Sequence, residues 1–236
     1  MKGFFIAGTD TGVGKTEIAR ALCALLRERG WAPLALKPVE TGCAPDAPED
    51  ALALRDACGS QQALDDLCPY RFGLPAAPLV AAQAEGRSID LLRIEQIVAR
   101  AKAPIVVEAA GGLLVPLARE AAALDPADRA PPQALITNLD LADRLRLPVL
   151  LVGRAGLGTL NHCALSVQAL ERRGLEVAAV VLNRVAPQDD PSVERNARWV
   201  RELTGARVLG PTPFTADPAQ RPRALSPFVD SMVPRR

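Results

Sequence analysis

Histidine is almost absent: the 236 residues contain one, His162. A zinc site built on several imidazoles is therefore excluded, and a single histidine at a predicted helix start has no partner for a proton relay. Cysteine is sparse as well. The five thiols at 23, 43, 58, 68 and 163 form no Cys-x-x-Cys pair, and an odd number suits reduced thiols better than a disulfide frame. No apolar run approaches the roughly 18 to 20 residues of a membrane span, and Met1-Lys2 leads into a short strand instead of a signal peptide. The expected location is the cytoplasm, with no membrane partner. Charge of one sign is not in excess: 28 basic residues against 27 acidic leave a net charge of +1, so no global field exists to hold a nucleic acid or an anionic bilayer.

Lysine is the last scarcity. Only four of the 28 basic residues are lysine, at 2, 15, 37 and 102. Where a positive charge merely solubilises, this sequence uses arginine. Lys15 and Lys37 are thus candidates for sites that require a compact point charge on a flexible stem, whereas Lys2 and Lys102 show nothing beyond chance. Apolar residues, by contrast, make up 49% of the chain. That excludes disorder and, at this length, predicts one large α/β domain spanning 1–236.

The stretch Gly8-Thr9-Asp10-Thr11-Gly12-Val13-Gly14-Lys15-Thr16 follows an apolar run at 3–7 and precedes a helical pattern. A strand, a glycine-bearing turn and a helix whose first turn carries Lys and Thr make a cradle for phosphate, because free backbone N–H groups and the helix dipole both point at an anion. The common pattern has four residues between its first glycine and Gly-Lys-Thr, whereas five separate Gly8 from Gly14. A turn that only joins strand to helix is the simpler alternative. Gly-Lys-Thr at the helix start favours phosphate.

From Thr16 to Arg29, Ile18, Ala19, Leu22, Cys23, Leu25 and Leu26 recur at helical spacing with Gly30 as the stop, and Cys23 falls on the core face. Trp31 to Val39 reads as a second strand, ending in Leu36-Lys37-Pro38-Val39-Glu40-Thr41-Gly42. Lys37 and Thr41 therefore sit near the carboxyl end of a strand, where open parallel sheets bind ligands. Asp50 begins a short helix, either as a carboxylate favourable to the dipole or as a magnesium ligand. Residues 68–78 read as a loop, with helical patterns at 79–85 and 88–100 after it. Pro104 to Glu108 is a buried-type strand. Its terminal Glu108, followed by Ala109-Ala110-Gly111-Gly112, is either a solvated strand end or a carboxylate placed for magnesium beside a phosphate loop.

Residues 118–134 read as a long surface loop, 138–145 as a helix and 148–153 as another buried strand. The turn at 157–162 enters a helix running to Arg173, whose first N–H groups suit a carboxylate. A strand at 176–182 closes on Asn183-Arg184, and Asp190-Pro191 predicts a capped helix to Leu203 with proline in its first position. Pro211-Thr212-Pro213-Phe214 predicts a rigid loop. Nothing regular is predicted from Pro218 on. The alternation of strand and helix predicts an open, mostly parallel sheet with helices on both faces.

Four separated motifs coincide with one family: Gly8 to Thr16 with its five-residue spacing, Lys37-Pro-Val-x-Thr-Gly42, Asp50-Ala-Leu-Ala-Leu54 and Leu157-Gly-Thr-Leu-Asn-His162. The chain resembles the dethiobiotin synthetase family from residue 3 to about 215. The resemblance implies a P-loop NTPase-like fold and an ATP-dependent ligase of biotin synthesis. Its substrates would be 7,8-diaminononanoate, carbon dioxide (bicarbonate in solution) and ATP with Mg2+, and its product dethiobiotin, formed through a carbamate and its anhydride with phosphate.

The resemblance also implies Lys37, Lys15 and Thr11 as the catalytic group, with Gly12, Val13, Gly14, Lys15, Thr16 and Glu17 around the polyphosphate. Thr16, Asp50 and Glu108 would hold magnesium. Asn183, Arg184 and Pro213-Phe214-Thr215 would lie at the adenine. Thr41, Gly111 and Gly112 would lie near the diamine and carbamate, Gly111 touching the nucleotide too. Leu157, Gly158 and Asn161 would receive the substrate carboxylate across a homodimer interface. Two departures stand out. Ala109 replaces a family glycine, which would strain the turn if that position needs a positive φ, and the loop at 118–134 is an addition. A related P-loop amide ligase and a partition-ATPase-like switch are the alternatives. The first needs a glutaminase part with more histidine, the second a further lysine in the phosphate loop and a basic or amphipathic surface.

Overall fold

All six residues of β1 (Gly3–Gly8) are buried, as expected for a strand covered on both faces. The computed structural model describes residues 2–119, 135–187, 190–217 and 220–233. After β1 come α1 (Lys15–Glu28), β2 (Leu34–Leu36), β3 (Val39–Thr41), α2 (Glu49–Cys58), α3 (Leu64–Leu67), β4 (Tyr70–Phe72), α4 (Pro78–Ala84) and α5 (Leu91–Arg100). The second half contains β5 (Ile105–Gly112), β6 (Pro116–Arg119), β7 (Leu135–Thr137), α6 (Asn138–Leu145), β8 (Val149–Arg154), α7 (Thr159–Arg172), β9 (Val177–Asn183), α8 (Val193–Thr204), β10 (Val208–Leu209) and α9 (Arg221–Val229).

Six strands form one sheet in the order β10-β9-β8-β1-β5-β2, with every neighbour parallel. Alternate residues of β1 feed two cores. Phe4 and Ile6 pack with Ile18 and Leu22 of α1, Leu54 of α2 and Leu225 of α9. Phe5 and Ala7 face the opposite layer with Ile94 of α5, Leu141 of α6, Val167 of α7 and Val200 of α8. The predicted parallel sheet with helices on both faces is therefore present. Its strand order reverses at β1, which opens a crevice at the carboxyl end of that strand. The phosphate-loop sequence leaves β1 at this point.

Several boundaries differ from the sequence reading. The strand predicted over 31–39 is interrupted at Lys37-Pro38: β2 stays in the main sheet, and β3 turns away to pair in parallel with β4. The predicted loop at 68–78 thus contains a strand, its β-branched content too low to reveal it. Pro191 lies two residues before α8 and not in its first position. Asp190 instead accepts from the Ser192 N–H at 2.9 Å, closing a turn ahead of the helix. The tail is not irregular: α9 buries Leu225 against the α1 layer, and Arg29 pairs with Asp230 beyond it. Residues 118 and 119 end β6, and the remainder of the proposed 118–134 loop, 120–134, falls outside the described residues.

The start of α6 is held by a capping box. Asp140 Oδ2 accepts from the Thr137 N–H at 2.8 Å and from its hydroxyl at 2.7 Å, and Arg173 donates to Asp140 Oδ1 at 2.8 Å. Burial pushes the Asp140 carboxyl up, but these donors outweigh it and hold it below the usual carboxylate range. A depressed native pKa adds stability above the unfolded value of about 3.9 and loses it as pH falls through the native one. Asp140→Asn is expected to destabilise by about 1 kcal/mol at pH 7. The gap in melting temperature from the unsubstituted protein should shrink below about pH 4.

Candidate active site

Gly14 sits at φ +88°, and a Cβ there would lie 2.1 Å from the amide nitrogen of Asn183, so only glycine lets the phosphate loop approach β9. Asn183 uses this proximity. Its amide donates to the Val13 carbonyl at 3.0 Å while its Oδ1 accepts from Thr212 at 2.7 Å. One buried side chain thereby fastens the phosphate loop to the loop after β10. Val13 itself is fully buried, so only its backbone can serve a nucleotide.

Lys15 is 6% exposed at the first turn of α1, and its ammonium donates to the Asp10 carbonyl at 2.9 Å. It has no carboxylate partner within 4.0 Å among the described residues. Burial is the main reason that its pKa is pulled down to about 8, with the Lys37 charge adding to the fall and Glu108 opposing it. Lys37, directly after β2, behaves oppositely. Its ammonium donates to Glu108 Oε1 at 2.5 Å and to Asp50 Oδ2 at 2.8 Å. Burial would lower Lys37, but those two carboxylates outweigh it and hold it above the ordinary lysine range. Among the described residues, the cleft thus contains one cation paired with two carboxylates and one held by a backbone carbonyl.

Glu108 is neither solvated nor at a strand end. It lies inside β5, beside Ile6 of β1, and is 0% exposed. Its Oε1 accepts from Lys37 and, at 2.8 Å, from the Thr16 hydroxyl, whereas its buried Oε2 has no hydrogen-bond partner among the described residues. An orphaned carboxylate oxygen beside Thr16 and Asp50 is the donor chemistry that suits a hard cation. Mg2+ is commonly held by one or two carboxylates together with substrate phosphate and water, without a dedicated cage. Groups of three or more His, Cys, Asp or Glu able to hold a metal are absent among the described residues. The oxygen set of Thr16, Asp50 and Glu108 therefore fits Mg2+ accompanying a polyphosphate, and nothing here fits a softer metal.

Two charged residues that shape the cleft escaped the sequence reading. Glu40, 6% exposed, accepts from the N–H groups of Asp50 at 3.1 Å and Ala51 at 2.9 Å. It serves as a remote cap for α2, whose own N-cap residue, Pro48, offers no side-chain acceptor. Burial, aided by the Asp50 charge, raises the Glu40 pKa despite these donors. Arg221, from the tail, borders both halves of the cleft. The only sign of either was charge within an otherwise apolar or irregular stretch.

One half of the cleft brings together Thr11, Gly12, Lys15, Thr16, Lys37, Thr41, Asp50, Glu108 and Gly111. The other half joins Asn183 and Arg184 to Pro213, Phe214 and Thr215, with Gly12, Gly14 and Glu17 common to both. Gly112 lies just behind, where an added Cβ would come 3.4 Å from the Thr9 carbonyl. Leu157, Gly158 and Asn161 are not brought to the lysines. Leu157 is 87% exposed and lines an adjoining hollow with Arg154 and Asp190, whose carboxylate accepts its N–H at 2.8 Å; that hollow meets the cleft at Asn183 and Arg184.

A family model described as AAA domain matches residues 2–220. A protein named ATP-dependent dethiobiotin synthetase BioD from Anaeromyxobacter dehalogenans (strain 2CP-C) is 48% identical, with 99% of each chain covered. This chain belongs to the ATP-dependent dethiobiotin synthetase family. A Bacillus cereus protein of the same name is 34% identical over 92% of this chain and 85% of its own. Among solved structures, chloroplast FtsY from Physcomitrella patens aligns with a TM-score of 0.46 and 18% identity, over 94% of this chain and 64% of that one. The departure of this dethiobiotin synthetase family member at Ala109 costs it no backbone strain. Arg146 is the only non-glycine residue at positive φ among the described residues, and Ala109, 1% exposed, packs in the core.

Breaking a buried pair strands its partner. Lys37→Ala is expected to destabilise the protein by about 3 kcal/mol, and Lys37→Met combined with Glu108→Leu to recover most of that loss, as read by urea denaturation. Glu40→Ala, which strips the cap from α2, should cost about 1 kcal/mol in the same assay.

Proposed function

We propose that residues 1–236 form a single-domain ATP-dependent dethiobiotin synthetase that carboxylates 7,8-diaminononanoate and closes its ureido ring. The observation that carries this reading is the pair of lysines. Lys15, without a carboxylate partner among the described residues, and Lys37, held on Glu108, share one cleft at the carboxyl ends of β1, β2 and β5. A phosphate-binding loop alone needs only the first.

An amine of the diamine adds to carbon dioxide, forming an N–C bond and releasing a proton, to give a carbamate. A carbamate oxygen then attacks the γ-phosphorus of ATP and ADP departs. The second amine attacks the carbonyl carbon of the mixed anhydride, phosphate leaves with the C–O bond, and the ring closes. Two anions must meet in the middle step. Lys15, held by a backbone carbonyl, and Lys37, once an incoming anion shares it with Glu108 and Asp50, lower their repulsion and stabilise charge as the phosphoryl group moves. Thr11 sits beside Gly111, whose Cβ position is 3.3 Å from the Thr11 hydroxyl, and the two border the carbamate with Thr41. Backbone N–H groups from Gly12 to Glu17 cradle the polyphosphate. Mg2+ held by Thr16, Asp50 and Glu108 supplies charge neutralisation of the phosphates when bound.

The adenine occupies the half of the cleft between Asn183-Arg184 and the loop 213–215. Leu157, Gly158 and Asn161 serve a second copy of the chain in a homodimer. Leu157, just before α7, and Leu165, within it, are both exposed and support that arrangement. Helices long and apolar enough to cross a membrane are absent among the described residues, and the proposed site of action is the cytoplasm.

Purified protein given the diamine, bicarbonate and Mg-ATP is expected to release ADP and dethiobiotin in equal amounts, followed by mass spectrometry. ATP consumption without ureido product would reject the reading. Lys37→Ala should lower kcat by about 100-fold or more, the scale of losing one preorganised donor.

A further inference from the structure

We propose that Arg221 is a polyphosphate-contacting residue, a cation delivered to the nucleotide cleft by the C-terminal helix; this rests on the ATP-dependent reading above. Arg221 opens α9 and is one of the few residues bordering both the lysine half and the adenine half of the cleft. Its guanidinium is already oriented. Nε donates to the Thr215 carbonyl at 2.8 Å and Nη2 to the Ala216 carbonyl at 3.3 Å. Carbonyl oxygens fix the plane of the fork without cancelling its charge.

The remaining nitrogen, Nη1, makes no hydrogen bond among the described residues. Its nearest carboxylate, Glu17 Oε1, is 3.8 Å away, and both oxygens of Glu17 are engaged by Arg20 at 3.3 and 3.2 Å. A permanently charged, geometrically fixed fork therefore has one edge unspent where the adenine pocket meets the phosphate loop. The chemistry that satisfies such an edge is a phosphate oxygen of a nucleoside di- or triphosphate. Two consequences follow from one side chain. Arg221 orients the adenine loop through the two carbonyls, and it reports phosphate through Nη1.

The two roles separate by ligand. Calorimetric titration of the full chain and of Arg221→Met with adenosine, ADP and ATP is expected to show a small loss for adenosine, from the released Thr215 and Ala216 carbonyls, and a larger one for the phosphorylated ligands. ADP and ATP should weaken by about tenfold, the scale of one charge-assisted hydrogen bond. Arg221→Lys, which keeps the charge, should restore part of the loss for ADP and ATP only. An equal loss across all three ligands would reduce Arg221 to a loop anchor and overturn the proposal, as would unchanged ATP affinity in a folded Arg221→Met. Failure of the unsubstituted chain to bind ATP would instead reject the ATP-dependent reading itself.

Discussion

The buried ion pair between Lys37 and Glu108 is the constraint to which the rest of the site is fitted. Two charges removed from water cost several kcal/mol apiece unless they meet in good geometry, and an apolar pair of similar volume would often be as stable. Its presence in the interior of the sheet is therefore poorly explained by stability. It is better explained by what it holds. Glu108 Oε1 collects the Lys37 ammonium and the Thr16 hydroxyl, so one oxygen fixes residues from the start of α1 and the end of β2 relative to β5. The other oxygen has no hydrogen-bond partner among the described residues.

The two lysines answer the same burial in opposite ways, and this difference divides the labour between them. Lys37 is surrounded by carboxylates that stabilise its charge before any substrate arrives. Lys15 is buried with only a carbonyl to receive it and is drawn toward neutrality. A polyphosphate placed beside Lys15 would reverse that tendency, so binding energy at this position grows with the charge of the ligand. Glu40 and Asp50 extend the same logic outward. Glu40 holds the first turn of α2, α2 presents Asp50, and Asp50 completes the compensation of Lys37.

Elements with strong local periodicity were legible: α1 by its apolar stripe and Gly30, β5 and β8 by unbroken apolar runs, α6 and α7 by pattern. The phosphate loop and both lysines were legible because the chemistry demands particular residues at fixed spacing. What failed depended on long-range context. Nothing local reveals that Lys37-Pro38 turns β3 out of the main sheet toward β4, or that α9 exists, since its proline-bearing sequence becomes helical against α1. Glu108 looked like a strand terminus because the run of large apolar residues stops there, yet the strand continues through Gly112, with Ala109 in the core and Gly112 paired with Gly8 past an irregularity. Glu40 looked like a spacer inside a motif, because its partners are N–H groups that every residue has.

The nucleotide half of the cleft depends most on this distant context. Val13, Asn183 and Thr212 belong to segments far apart in the chain, yet they form a continuous chain of hydrogen bonds across the reversal in strand order. Thr212 also receives the Arg184 N–H at 3.1 Å, tying the residue after β9 to the same loop. None of these contacts can form until β8 and β9 have joined β1, and Arg221 adds a further requirement for the docked C-terminal helix. The glycine-bearing loop is a local object, but the pocket beside it exists only when the whole sheet is assembled. A nucleotide that bound only the assembled pocket would therefore stabilise every element that builds it.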